Sequence, residues 1–165
     1  MITKDELREA CAHVTEAFKE YPHLSEAVYQ RALQIELQAA GHTVVAEVIK
    51  PVLYKGMHAG TVRADLVVHN RRADDFVLEL KRVPKILQGH IDQLRTYMAL
   101  VADEEIARHL EPCLVRGAVV NFGRVPAEIH FEDAPKWASG NESSPSRSRS
   151  RSRSQSPERA TAPQG

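Results

Sequence analysis

Three ionisable residues lie in strand-forming sequence that would ordinarily bury them. Asp65 sits in Arg63-Ala64-Asp65-Leu66-Val67-Val68, and Glu79 and Lys81 sit in Phe76-Val77-Leu78-Glu79-Leu80-Lys81. Charged groups are rarely buried without a partner or a metal. Side chains alternate faces along a strand, so Glu79 and Lys81 point the same way, about 7 Å apart. Arg63, Asp65 and Val67 share one face of the preceding segment by the same count. A hairpin through His69-Asn70-Arg71-Arg72-Ala73-Asp74 would bring Asp65 and Glu79 together. Two close carboxylates repel unless a cation lies between them. Carboxylate oxygens suit Mg²⁺, and a lysine two residues along can orient a water or neutralise charge on a phosphate. The simpler alternative is an Asp65–Lys81 salt bridge across a solvated sheet face, and Glu-x-Lys alone is too short to decide between them.

The elements that must position these groups are legible along the chain. Thr3 and Glu6 have capping-box spacing, ahead of a helix with Leu7, Cys11, Val14, Phe18 and Tyr21 on one stripe, stopped by Pro22. Ser25 caps a second helix of about 25–40, closed by Gly41. Its apolar side includes Val28, Tyr29, Ala32, Leu33, Ile35 and Leu37. Residues 42–70 read as two or three strands, with turn signals at Lys55-Gly56 and at His58-Ala59-Gly60. Pro51 points to an edge or a bulge. After the strand at 76–82, Pro84 opens a helix of about 84–101, followed by strands in Arg116–Phe122 and Ala127–Glu132. This order predicts one α/β domain over residues 1–139. The late helix carries a core stripe of Leu87, Ile91, Leu94, Met98 and Val101. Beside it runs a polar-tipped stripe of His90, Gln93 and Tyr97 that would flank whatever the sheet presents. Glu26 opens the second helix, where the helix dipole favours an acid whatever its function.

Composition divides the chain. Residues 1–139 carry 17 Lys+Arg against 20 Asp+Glu, whereas residues 140–165 carry five Arg against two Glu and almost nothing apolar. The second segment cannot bury enough surface to offset its chain entropy and reads as a disordered tail. Cys11 and Cys113 are far apart in apolar settings, neither a disulfide framework nor zinc spacing. The sequence has no apolar run of membrane-spanning length and no signal peptide, so an intracellular protein with no membrane partner is expected.

Six segments, HLSEAVYQRAL, YKG, RADLVV, ELK, HIDQLRTY and NFG, occur here in the order and spacing of the GxxExxY proteins, which belong to the PD-(D/E)XK nuclease superfamily. The resemblance covers roughly residues 5–132. It implies a restriction-endonuclease-like core, ordered αβββαβ, with a mixed central sheet flanked by helices. It also implies metal-dependent phosphodiester hydrolysis on nucleic acid, with Mg²⁺, or Mn²⁺ in its place. Asp65 and Glu79 match the metal carboxylates, Lys81 the catalytic lysine and Glu26 a helical glutamate that reaches the metal. Gln93 and Tyr97 match residues beside the site, and His90 a frequent histidine. His23 departs from the family glycine three residues before Glu26. The alternative is a catalytically silent module that keeps the fold and binds nucleic acid or protein.

DNA is the expected partner ahead of RNA, with many superfamily members working as homodimers. The acidic core is awkward for a nucleic-acid binder, and a local patch of Arg63, Arg71, Arg72, Arg82 and Lys85 would compensate. The tail resembles the Arg-Ser segments of eukaryotic splicing-associated proteins, which concentrate in the nucleus. Its Arg147, Arg149, Arg151 and Arg153 would attract phosphates. Phosphorylation of Ser148, Ser150 and Ser152 would add about −1.5 to −2 each and reverse that sign.

Overall fold

The computed structural model describes residues 2–21, 23–69, 75–107 and 115–133. The tail, Arg71, Arg72 and Cys113 lie outside the described residues, as does the turn expected at 70–74. Helix α1 (Lys4–Ala17) opens with the expected capping box. The Glu6 amide donates to Thr3 Oγ1 at 3.1 Å and the Thr3 amide to Glu6 Oε2 at 2.7 Å. It buries Leu7, Ala10, Cys11 and Val14 and ends short of Tyr21, which stays exposed. Helix α2 (Glu26–Ala39) has Ser25 at its N-cap, but the serine side chain makes no capping hydrogen bond. Tyr29, Leu33 and Leu37 are its buried apolar positions, at i, i+4 and i+8, while Val28 and Ile35 face outward. Gly41 follows at φ +88, the left-handed conformation that ends a helix cheaply only in glycine.

Residues 43–69 form one long hairpin, β1 (Thr43–Tyr54) and β2 (Met57–His69), turned at Lys55-Gly56 with both φ angles positive. The second turn signal, His58-Ala59-Gly60, is instead a bulge inside β2. Val52 pairs with Gly60 and Leu53 with His58, leaving Ala59 as the extra residue. Strand β3 (Phe76–Lys81), helix α3 (Gln88–Ala107), β4 (Arg116–Asn121) and β5 (Glu128–Glu132) complete the fold. The sheet order is β1-β2-β3-β4-β5, antiparallel except for β3 and β4, which α3 joins by a crossover. β1 is an edge, which accommodates Pro51.

Two apolar layers sandwich the sheet. Leu66, Val68, Leu78 and Leu80 pack with α1 and α2 on one side. Val67, Val77 and Val119 pack with Leu94, Tyr97, Met98 and Val101 of α3 on the other. The fold is thus α/β with a mixed five-stranded sheet, as a restriction-endonuclease-like core requires. Helix α3 starts four residues later than Pro84 suggests. Asn121 holds the intervening backbone, accepting from the Val83 amide at 3.0 Å and donating to the Val83 carbonyl at 2.8 Å. Glu128 Oε2 accepts from the Ile86 amide at 3.3 Å. These bonds keep 83–86 out of the helix.

The long hairpin changes faces midway along its length. Val44 and Ala46 of β1 pack with the α1/α2 layer, but Val48 packs with the α3 layer; on β2, Leu66 and Ala64 divide the same way. Strict alternation would keep each set on one side. The switch falls at Glu47, which has φ +55, and at Asp65, which stands opposite it in the register. Beyond this point the hairpin leaves β3, whose ladder with β2 pairs only Leu66–Leu78, Val67–Val77 and Val68–Phe76. Arg63 and Asp65 therefore do not share a face by simple alternation; the twist of the hairpin sets where each points.

Candidate active site

Where β2 and β3 part, the buried Leu80 amide loses its strand partner, and Asp65 Oδ2 accepts from it at 2.7 Å. The carboxylate thus replaces a backbone acceptor and is fixed at the fork of the sheet. Its own carbonyl accepts from Gln30 Nε2 of α2 at 2.9 Å. Gln30 lies one turn beyond Glu26, a spacing that could have marked it in the sequence as a second residue of α2 facing Asp65. Continuing the β2–β3 register places Glu79 opposite Asp65, as the hairpin reading expects.

Glu79 is 2% exposed, among the most buried charged groups described. Burial pushes its carboxyl up to about 7; the hydrogen bond from Lys81 opposes the rise, and the negative charges of Asp65 and Glu26 add to it. Lys81 Nζ lies 2.5 Å from Glu79 Oε1. The ion pair is therefore Lys81 with Glu79 along one strand, not Lys81 with Asp65 across two.

A cleft of about 460 Å³ opens over this pair. Glu26, Asp65, Glu79 and Lys81 line it together with Gln93 and Tyr97 of α3. Thr61, Val62, Arg63 and Thr96 complete the walls. Six of the residues singled out for the site thus meet in one cavity, and Arg63 joins them at its edge, paired with Glu47 at 3.3 Å. Glu26 reaches the cavity although His23 stands in place of a glycine. Thr61 and Thr96 carried no signal in the sequence. Tyr97 is largely core, packed in the α3 layer. His90 has another position: its Nδ1 accepts from the Leu87 amide at 3.1 Å, capping α3 at its start. Arg82 and Lys85 are exposed beyond the end of β3 and do not line the cleft.

Oxygen donors from Asp65 and Glu79 are chemically suited to a hard divalent cation. Among the described residues, however, no three His, Cys, Asp or Glu side chains are gathered as a ready ligand cluster. Glu26 shares the cavity and acts on Glu79 electrostatically. Burial is the main cause of the raised Glu79 carboxyl, and the charges of Asp65 and Glu26 add less to it.

Among curated proteins, no match is found. Of the solved structures, one titled "Crystal structure of SSO0001" is 18% identical, with a TM-score of 0.40, covering 82% of this chain and 68% of that one. No helix among the described residues is long and apolar enough to cross a membrane. The model of the PD-(D/E)XK nuclease superfamily matches residues 3–130, spanning the three helices, strands β1 to β4, the first part of β5 and every residue of the cleft, and the chain belongs to that superfamily.

Proposed function

We propose that the protein is a divalent-metal-dependent nuclease of the GxxExxY group that hydrolyses phosphodiester bonds, with DNA preferred to RNA as substrate. The observation that carries this reading is the fork at Asp65. There the sheet opens, and two carboxylates, a lysine and a glutamine line one cavity large enough for a phosphate and its neighbouring sugars.

Asp65 and Glu79 would hold Mg²⁺ or Mn²⁺, with Glu26 assisting at longer range. Bound there, the cation would lower the pKa of a water and offset charge on the phosphate. Lys81, relieved of Glu79, donates to the attacking water or to a non-bridging phosphate oxygen and stabilises charge that grows in the transition state. Gln93 orients the same water or phosphate by hydrogen bonds from the opposite wall. Hydrolysis forms one P–O bond to the water oxygen and breaks the P–O bond to the leaving sugar oxygen, which takes up a proton.

The test is cleavage of a panel of single-stranded, duplex, branched and RNA substrates with Mg²⁺ or Mn²⁺. Lys81→Ala should lower the rate by ~10²–10³-fold, the usual cost of one charge-stabilising donor. A silent panel would favour the alternative, a binding module, which the closed Lys81–Glu79 pair independently suits. Equal cleavage by Lys81→Ala would assign the activity elsewhere.

A further inference from the structure

The β1–β2 hairpin is longer than the sheet needs. Beyond Val48 and Val62, which pack on the α3 layer, it projects past the core and exposes Ile49, Leu53, Tyr54 and Met57. Tyr54 is 63% exposed and Met57 68% exposed, opposite each other at the tip. Lys55 Nζ lies 5.4 Å from the Tyr54 ring centroid. The register puts Val48, Lys50, Val52, Tyr54 and Met57 on one side of the hairpin, the side that packs toward α3 and the cleft. Between Glu47 and Arg63 the hairpin carries Lys50, Lys55 and Arg63 against a single acid, Glu47, which is paired with Arg63. This is a basic surface on an otherwise acidic domain. Its base is continuous with the cavity, since Thr61, Val62 and Arg63 form one wall.

We infer that this hairpin is a substrate arm that binds a single-stranded stretch of nucleic acid flanking the cut, with an unpaired base stacked at Tyr54. The inference rests on the nuclease reading of the cleft for the word substrate. Charge complementarity selects the occupant: a phosphate backbone follows Lys50, on the side that Tyr54 shares, toward Lys55 at the turn, while Arg63, opposite Ile49 on the other side, is held by Glu47. An exposed aromatic ring beside a lysine at the far end takes a base face of any sequence. A base still stacked in a duplex cannot reach a ring presented this way, so the stretch is single-stranded. Asp65 and Met57 are eight strand residues apart, about 26 Å at about 3.3 Å each. The stacked base therefore lies several nucleotides from the cleaved bond. Met57, opposite Tyr54, supplies an apolar side to the same base site.

The test is binding of the full chain, in EDTA, to labelled single-stranded DNA, single-stranded RNA of the same sequence and the blunt duplex, followed by fluorescence anisotropy. Tyr54→Ala should weaken single-strand binding by about tenfold on DNA, RNA or both, and leave the duplex nearly unchanged; Tyr54→Phe should restore it. Lys50→Gln and Lys55→Gln should each lower the salt dependence of single-strand binding by about 0.7 in slope. Because Tyr54 is exposed, its removal leaves the core intact, which a thermal melt checks. Unchanged single-strand affinity in Tyr54→Ala overturns the arm. So does sedimentation showing that the substitution splits a dimer, since the occupant is then a second copy. A wild type that binds single strands through Tyr54 yet cuts nothing leaves the arm standing and the nuclease reading fallen. A wild type that cuts, with Tyr54→Ala cutting single strands equally well, does the reverse.

Discussion

At Asp65 two roles meet in one side chain, and substitution separates them. Its carboxylate satisfies the Leu80 amide, which is buried where the strands part. Asp65→Asn keeps an acceptor oxygen of the same reach, so the fold should hold while cleavage is lost. Asp65→Ala leaves the amide unsatisfied and should cost about 1–3 kcal/mol in denaturant unfolding as well. Equal stability of the two variants would show that the Leu80 contact contributes nothing.

Glu79 offers a sharper test at the same scale. Its ordinary value of 4.5 rises to about 7 in the folded chain, mainly through burial. A folded-state value above the unfolded one means that the unfolded chain releases a proton which the folded chain retains. Glu79 therefore contributes most below about pH 4.5, and its contribution falls as pH rises toward 7. In metal-free protein, Glu79→Gln should match the wild type near pH 4 and gain stability with pH, by roughly 1–3 kcal/mol at pH 8. Measuring the difference between the two proteins cancels the opposite slopes of Glu6 and Glu132, whose carboxyls are held low by Thr3 and Arg95 respectively. A difference that does not change with pH would mean that Glu79 is ionised throughout.

At the scale of elements, Asn121 positions more than its own strand. It lies opposite Lys81 in the β3–β4 register and is fully buried. Its side chain binds both polar groups of Val83 and accepts from the Gly123 amide at 2.9 Å. Asn121→Ala should cost about 2–4 kcal/mol, because several buried groups lose partners together. It should also slow cleavage by loosening the chain that leaves Lys81. Full stability in this variant would show that the 83–86 segment holds itself.

The same residue marks a limit of what local sequence can reveal. Periodicity and capping locate α1, α2, β3, β4 and β5, because local patterns suffice for them. The start of α3 escapes them because Asn121 and Glu128, some 40 positions away, hold the chain after Pro84. The face switch at Glu47 is invisible because a non-glycine residue with positive φ leaves no mark in composition. Helical spacing puts His90 beside Gln93 and Tyr97 but cannot show its ring turned back to the Leu87 amide. The antiparallel approach of the strands that carry Asp65 and Glu79, by contrast, is legible from one hairpin, although the face switch at Asp65 is not.

At the scale of the whole molecule, the charge distribution predicts how the protein responds to a cation. Residues 1–139 have 20 acids to 17 bases, and Glu79, the most buried acid described, feels two others across the cleft. A divalent ion held by Asp65 and Glu79 would relieve that repulsion in the folded state alone, since the unfolded chain does not assemble the pair. Ligands that bind only the folded form stabilise it by mass action, about 2.7 kcal/mol at a concentration of 100 Kd. For a domain of this size that is about 10 °C in Tm. The melting temperature should therefore rise with Mg²⁺ at pH 8 and rise less at pH 6, where Glu79 keeps its proton and must release it to bind. Glu79→Gln and Asp65→Asn should flatten the Mg²⁺ response, and Lys81→Ala should steepen it, because the lysine competes for Glu79. Removing residues 140–165 should leave the response intact, since Glu26, Asp65 and Glu79 all precede that segment. A rise in Tm that survives both carboxylate substitutions would place the ion elsewhere on the molecule.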